Sequence, residues 1–320
     1  MKKLILCLCI SLGAFGCFDS QQIERPLLVG TNLWPGYQPL YMAVDRGLLG
    51  IGDIHLTEFS SATQVLKALK EGNLDLAGLT LDEAILGAVH QELQVILVMD
   101  ISNGADAILG GTGEKSLKTL KGKKIGVEKT ALGSFFLNRA LEKNNLKVSD
   151  FKIIHVEQDQ HASDFLGHSI DAVVTFEPIK SRLMSKGAKV LFDSSQIPGE
   201  VVDVLVARKE VLINNPKKVQ KLLGAWFKML AIIHQRPAEA AAFMAPVLGI
   251  SNTEVLKTFA NIKFPNLKEC NALFNGRSQS VLAKTANKLQ AVLEGMEQIP
   301  KQLNLTDLFN KGPLSTVIPD

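Results

Sequence analysis

Short apolar runs of strand length alternate with amphipathic runs of helix length along the first two thirds of this chain. That alternation restricts it to an α/β architecture, because parallel strands need crossover helices and both faces of such a sheet need covering. Residues 26–31, 54–59, 74–79 and 93–101 read as strands. Residues 41–49, 61–71 and 82–90 read as the helices between them, the first two closed by Gly50 and Gly72. The pattern then restarts. Strand signals at 124–127, 151–156, 172–176 and 189–192 alternate with helix signals at 115–121, 134–144, 162–167 and 179–186. Residues 201–207 read as a strand returning to the first unit, and 217–234, 237–248, 252–260 and 281–298 as helices.

With 320 residues there is chain enough for two cores of ordinary size. The second unit is therefore an insertion of about 100 residues between an α/β opening and a helical closing part. The spacing predicts one lobe from 27–105 and 204–320, a second from 106–203, and crossings near 103–112 and 197–205.

The N-terminus has a positive start (Lys2, Lys3), a short apolar run and a small-residue exit, which is secretory signal architecture over residues 1–16. Ala14-Phe15-Gly16-Cys17 resembles a lipoprotein box, with Ala14 where leucine is usual. It predicts lipidation at Cys17, a tether over 17–26, and a protein anchored in the periplasm or at the cell surface. Cys7 and Cys9 leave with the signal, so Cys270 has no partner for an internal disulfide and reads as a small buried residue. The 35 basic residues nearly balance 32 acidic ones and form no stripe, which gives a nucleic-acid partner no footing.

In open α/β sheets ligands sit at the carboxyl ends of strands. The segments there are 32–37, 80–82, 100–106, 128–134, 175–178 and 193–196. The first holds Trp34 and Tyr37, and with Tyr41 these are three of only four Trp and Tyr residues in the chain. The two rings can stack a planar or cationic ligand; alternatively one of them fills the core. Asp100, Asp106, Glu128 and Glu177 bring carboxylates to the cleft with no arginine opposite, the nearest basic residue being Lys129. Each acid also has a plainer reading as a helix cap or solvated loop residue, and Asp106 as a hinge group. Together they favour a ligand with a cationic or N–H donor group, such as an amine, zwitterion or pyrimidine. No metal-ligand spacing or phosphate loop is present, so no metal or cofactor is expected. His155 and His161, near Glu157 and Asp159, read as solvated loop residues rather than an acid–base group.

Four motifs carry a resemblance. They are Val29-Gly-Thr-Asn-Leu-Trp-Pro-Gly-Tyr-Gln-Pro-Leu-Tyr-Met-Ala43 followed by Arg46-Gly-Leu48, then Gly72-Asn-Leu-Asp-Leu-Ala77, Leu120-Lys-Gly-Lys-Lys-Ile-Gly-Val127, and Asp171-Ala-Val-Val174 leading to Phe176-Glu-Pro178. In this order they resemble the nitrate/sulfonate/taurine-type solute-binding proteins of ABC transporters, whose pattern the thiamine-pyrimidine-precursor binders share. The resemblance implies the type 2 periplasmic binding protein fold: two Rossmann-like α/β lobes with a hinge and ligand cleft between them, and a helical C-terminal part. It implies a monomer without catalysis that captures a small nitrogen-containing or sulfonate-type molecule by hinge closure and delivers it to a membrane permease. Carried over by position, Asn32, Trp34 and Tyr37 form one wall. Thr80 and Asp82 lie at the next helix start, and Glu128, Thr130, Ser134 and Glu177 come from the second lobe, with Asp100 among the cleft acids. The rival readings are a pyrimidine-precursor synthase-like enzyme and a ligand-presenting subunit of a membrane sensor.

Overall fold

The computed structural model describes residues 25–129, 131–276 and 279–318. The expected signal segment, Cys17 and Thr130 lie outside the described residues. The first unit runs β1 (Leu27–Asn32), α1 (Gln38–Asp45), β2 (Ile54–Phe59), α2 (Ala62–Lys70), β3 (Leu76–Thr80), α3 (Leu81–Ala88) and β4 (Leu93–Ser102). The inserted unit runs β5 (Asp106–Gly110), β6 (Lys124–Val127), α4 (Ala131–Lys143), β7 (Lys152–His155), α5 (His161–Leu166), β8 (Ala172–Phe176), α6 (Ile179–Ser185) and β9 (Lys189–Asp193). The chain then returns through β10 (Val202–Arg208), α7 (Lys209–Asn214), α8 (Pro216–Gln235), α9 (Pro237–Leu248) and α10 (Asn252–Ala260). It closes with β11 (Ile262–Lys263), α11 (Leu267–Phe274) and α12 (Val281–Gly295).

Among the described residues the strands form two sheets, ordered β11-β4-β10-β3-β1-β2 and β7-β6-β8-β5-β9. Neither is wholly parallel, as the alternation alone suggested. β1 pairs in parallel with β2 and β3, whereas β10 lies antiparallel between β3 and β4. In the second sheet β5 is antiparallel to both β8 and β9. β5 occupies residues expected as a crossing. Its five residues are all buried, and so short a run followed by glycines reads in sequence as part of the crossing.

Local chemistry explains the elements around the cleft. Ser61 caps α2, its hydroxyl accepting from the Gln64 amide at 3.4 Å, and the helix buries Ala62, Val65, Ala68 and Leu69. α3 starts at the last residue of β3, where the Thr80 amide donates to Glu83 Oε2 at 3.0 Å. β4 is an almost unbroken apolar run with helices on both faces, so Asp100 within it is fully buried. Cys270 is also buried, its thiol against the Val98 carbonyl at 3.3 Å.

The two crossings are pinned together. Ser102 and Ser194 hydroxyls meet at 2.7 Å, and the Gly104 amide donates to Ser194 Oγ at 2.6 Å. Gly104 holds φ +111°, a conformation open to glycine at little cost. Its carbonyl accepts from Lys180 Nζ at 2.5 Å.

Candidate functional site

Between the sheets lies a cleft with about 330 Å³ of empty space, its mouth included. The first unit contributes Asn32, Trp34, Tyr37, Ala62, Thr80, Glu83 and Asp203; the inserted unit contributes Asp106, Glu128, Leu132 and Phe176. Four of these are carboxylic acids and none is basic.

The wall is built from the chain end of β1. Trp34 and Tyr37 flank a single turn of 3-10 helix at Pro35–Tyr37, and both rings are buried. Trp34 Nε1 donates to Asp100 Oδ2 at 3.0 Å, and the Tyr37 hydroxyl donates to Asp203 Oδ1 at 2.6 Å. Asp100 and Asp203 oppose each other across the β4–β10 ladder. Burial pushes the Asp100 carboxyl up to about 7 and raises that of Asp203 well above its ordinary range, the neighbouring Asp100 charge raising it further.

The other acids follow the same physics. Burial lifts Asp106 to about 7, Glu128 to about 7 and Asp82 to about 6, and Glu83 rises well above its usual value from burial and the nearby Asp82 and Glu128 charges. Glu83 Oε1, Asp100 Oδ1 and Asp106 Oδ2 are buried without a hydrogen-bond partner among the described residues. Unmatched buried acceptors are costly, so a donor brought to Glu83 Oε1 or Asp106 Oδ2 would be favoured there. The Lys180 charge acts on Asp106 in the lowering direction, but its ammonium bonds the Gly104 carbonyl and lies 3.7 Å from Glu177 Oε1.

The sheets are drawn together across the cleft. Asn32 Nδ2 donates to Gln158 Oε1 at 2.9 Å, and Gln158 Nε2 donates to the Leu33 carbonyl at 2.8 Å. The Thr63 amide and hydroxyl both reach Glu128 Oε1 at 3.4 Å. Trp34 meets Phe176 edge to face, with centroids 5.9 Å apart. Ligand contacts to both units would add to these closing bonds.

Of the residues expected from sequence, Asn32, Trp34, Tyr37, Thr80 and Glu128 line this space. Asp100 stands behind Trp34, and Asp82 is buried in the first turn of α3 beside Glu83 without lining the cleft. Ser134 is half-buried on α4, also away from the lining. Glu177 belongs to the hinge, its Oε2 accepting from the Ser181 amide at 3.1 Å. Asp106, open between cleft and hinge on sequence, lines the cleft. Sequence reasoning passed over Glu83, Asp203 and Gln158, and held Leu132 and Phe176 only as members of the segments 128–134 and 175–178. A lone aspartate inside the apolar run 201–207 was the signal for Asp203. His161 is also corrected: it is fully buried, not a solvated loop residue.

Comparison with known proteins agrees with this architecture. The alkanesulfonate-binding protein SsuA from Xanthomonas axonopodis pv. citri, bound to MOPS, superposes with a TM-score of 0.75 at 18% identity, covering 89% of this chain and 98% of that one. The periplasmic nitrate-binding protein NrtA from Synechocystis PCC 6803 gives a TM-score of 0.74 at 11% identity, covering 91% and 87%. A putative binding protein of Brucella abortus is 25% identical over 170 residues, 52% of this chain and 53% of that one. The chain thus spans about half the length of the curated relatives it matches first. The fold is that of the periplasmic binding proteins. The profile of the NMT1-like family matches residues 20–249, and the chain belongs to that family.

Proposed function

We propose that this protein is a solute-binding component of an ABC import system that closes on a small nitrogen-bearing ligand, cationic or rich in N–H donors, and presents it to a membrane permease. The observation that carries the reading is the cleft's composition: Glu83, Asp106, Glu128 and Asp203 face the space with two unpartnered carboxyl oxygens and no basic side chain. An oxyanion would meet acceptors where it needs donors. A cation or N–H donor both ionises these acids and fills their empty bonds, while Trp34 and Phe176 line the same space. The relatives named for sulfonate and nitrate support the transport role; the acids of this cleft support a different cargo.

A thermal-shift screen tests this. Ligands that bind only the native state raise its stability by about 2.7 kcal/mol at a hundredfold excess over Kd. Primary amines and N–H heterocycles are expected to raise the melting temperature, and sulfonates and nitrate to leave it unchanged. A shift with sulfonates or nitrate alone refutes the cargo.

We also propose export with a lipid on Cys17. No helix among the described residues is long and apolar enough to cross a membrane. Cys17→Ser is expected to move the protein from the membrane fraction to the soluble fraction of cells; unchanged fractionation rules the anchor out.

A further inference from the structure

Behind Leu132 and Phe176 the cleft continues into a smaller chamber on the side of the inserted unit. Its empty space is about 260 Å³ against about 330 Å³ for the cleft, and its room for water-sized centres is about 10 Å³ against about 20 Å³, near the least that holds a single water. Cleft and chamber share Asp106, Glu128, Leu132 and Phe176, so they are two compartments of one space. Gly133, Phe136 and Val174 add apolar wall, with Thr175 and His161 as the further polar residues.

His161 is fully buried, and its ring stands edge-on to Phe176 with centroids 6.1 Å apart. Nδ1 lies 3.2 Å from Thr175 Oγ1. Nε2 has no partner among the described residues. In the tautomer that donates Nδ1–H to Thr175 Oγ1, Nε2 carries a bare lone pair.

We propose that this chamber is an inner subsite that takes one small N–H- or O–H-bearing end of the ligand, with His161 Nε2 accepting its proton in a hydrogen bond. The inference rests on the nitrogen-bearing cargo proposed above: the ammonium or N–H face meets the cleft acids, and a second donor reaches inward past Phe176. Burial holds the imidazole down at about 4, so the ring is a neutral acceptor at pH 7. The volume admits a hydroxyl or amino group and excludes a branched substituent. A methyl group would fit the space and leave Nε2 unpaired, which makes the chamber a discriminator between isosteres.

The test scans reach as well as chemistry. Amino alcohols from ethanolamine to 5-aminopentanol are titrated by calorimetry, each against the alkylamine in which methyl replaces the hydroxyl. One length is expected to favour the alcohol by about fivefold or more, as one hydrogen bond allows. His161→Leu is expected to abolish that preference, and His161→Gln to keep part of it. A preference that survives His161→Leu, or none at any length, overturns the subsite. Binding of neither series refutes the cargo itself, and the subsite is then decided by ¹⁵N NMR of His161. A protonated Nδ1 with bare Nε2 supports it, and a protonated Nε2 overturns it. Crystal density for one water that stays on Nε2 in a ligand complex also overturns it.

Discussion

Asp106→Asn raises the melting temperature of the unliganded protein at pH 8 and removes its response to amines. The wild-type carboxyl is fully buried, has an unpartnered Oδ2 and is lifted from 3.8 to about 7. Holding it ionised above that pH costs on the order of 4 kcal/mol. Asparagine carries no charge, and recovering even 1–2 kcal/mol of that cost amounts to several degrees in a chain of this size, by about 2–4 °C per kcal/mol. The sign is fixed by linkage: the folded state binds protons more tightly than the unfolded chain between about pH 4 and pH 7. That stability is present at low pH and lost as pH rises through 7, so wild-type protein melts higher at pH 5 than at pH 8. Asp100 and Glu128, both lifted to about 7, steepen the same fall. Amine affinity runs the opposite way, rising over this window as each cation displaces a proton. Scanning calorimetry at both pH values and titration calorimetry in buffers of different ionisation enthalpy read both effects. A lower melting temperature for Asp106→Asn at pH 8, or undiminished amine binding, sinks the argument.

Gly36→Ala is expected to destabilise the protein by on the order of 3 kcal/mol and to destroy the aromatic wall. A Cβ on Gly36 would stand 1.8 Å from Asp100 Oδ2 and 2.3 Å from Trp34 Nε1, inside their hydrogen bond. Neither group can retreat without breaking the Trp34–Asp100 hydrogen bond. Gly224→Ala in α8 is the control: its Cβ meets nothing within 4 Å, so alanine there stabilises by about 0.5–1 kcal/mol. Urea unfolding of both variants measures the contrast. Equal effects at the two glycines would mean that close approach at Gly36 is not what requires glycine.

Where local pattern decides, the sequence could be read closely. β2, β8, α9 and α10 have the bounds that apolar period and flanking breakers imply. β5 escaped because five residues without alternation look like connection, and α11 escaped although Asn266 and Glu269 spell its capping box. The cleft divides likewise. Asn32, Trp34, Tyr37, Thr80 and Glu128 sit where strand ends put them. Asp203 reaches the site through antiparallel pairing, which no single window encodes, and Glu83 through its role as a cap. The two readings of Trp34 and Tyr37 turn out not to compete, since both rings are buried and both line the space.

The place of β10 has a consequence for how the molecule forms. β10 sits between β3 and β4, yet the chain reaches it only after the whole inserted unit. Closing that loop of roughly 100 residues costs entropy that only a prefolded insert reduces, by bringing Ser194 back beside Ser102. Until then β3 and β4 face each other across a gap with open edges, a template for aggregation. The floor of the cleft, where Asp203 meets Asp100 and Tyr37, is thus built from strands that only the return of the chain from the inserted unit brings together.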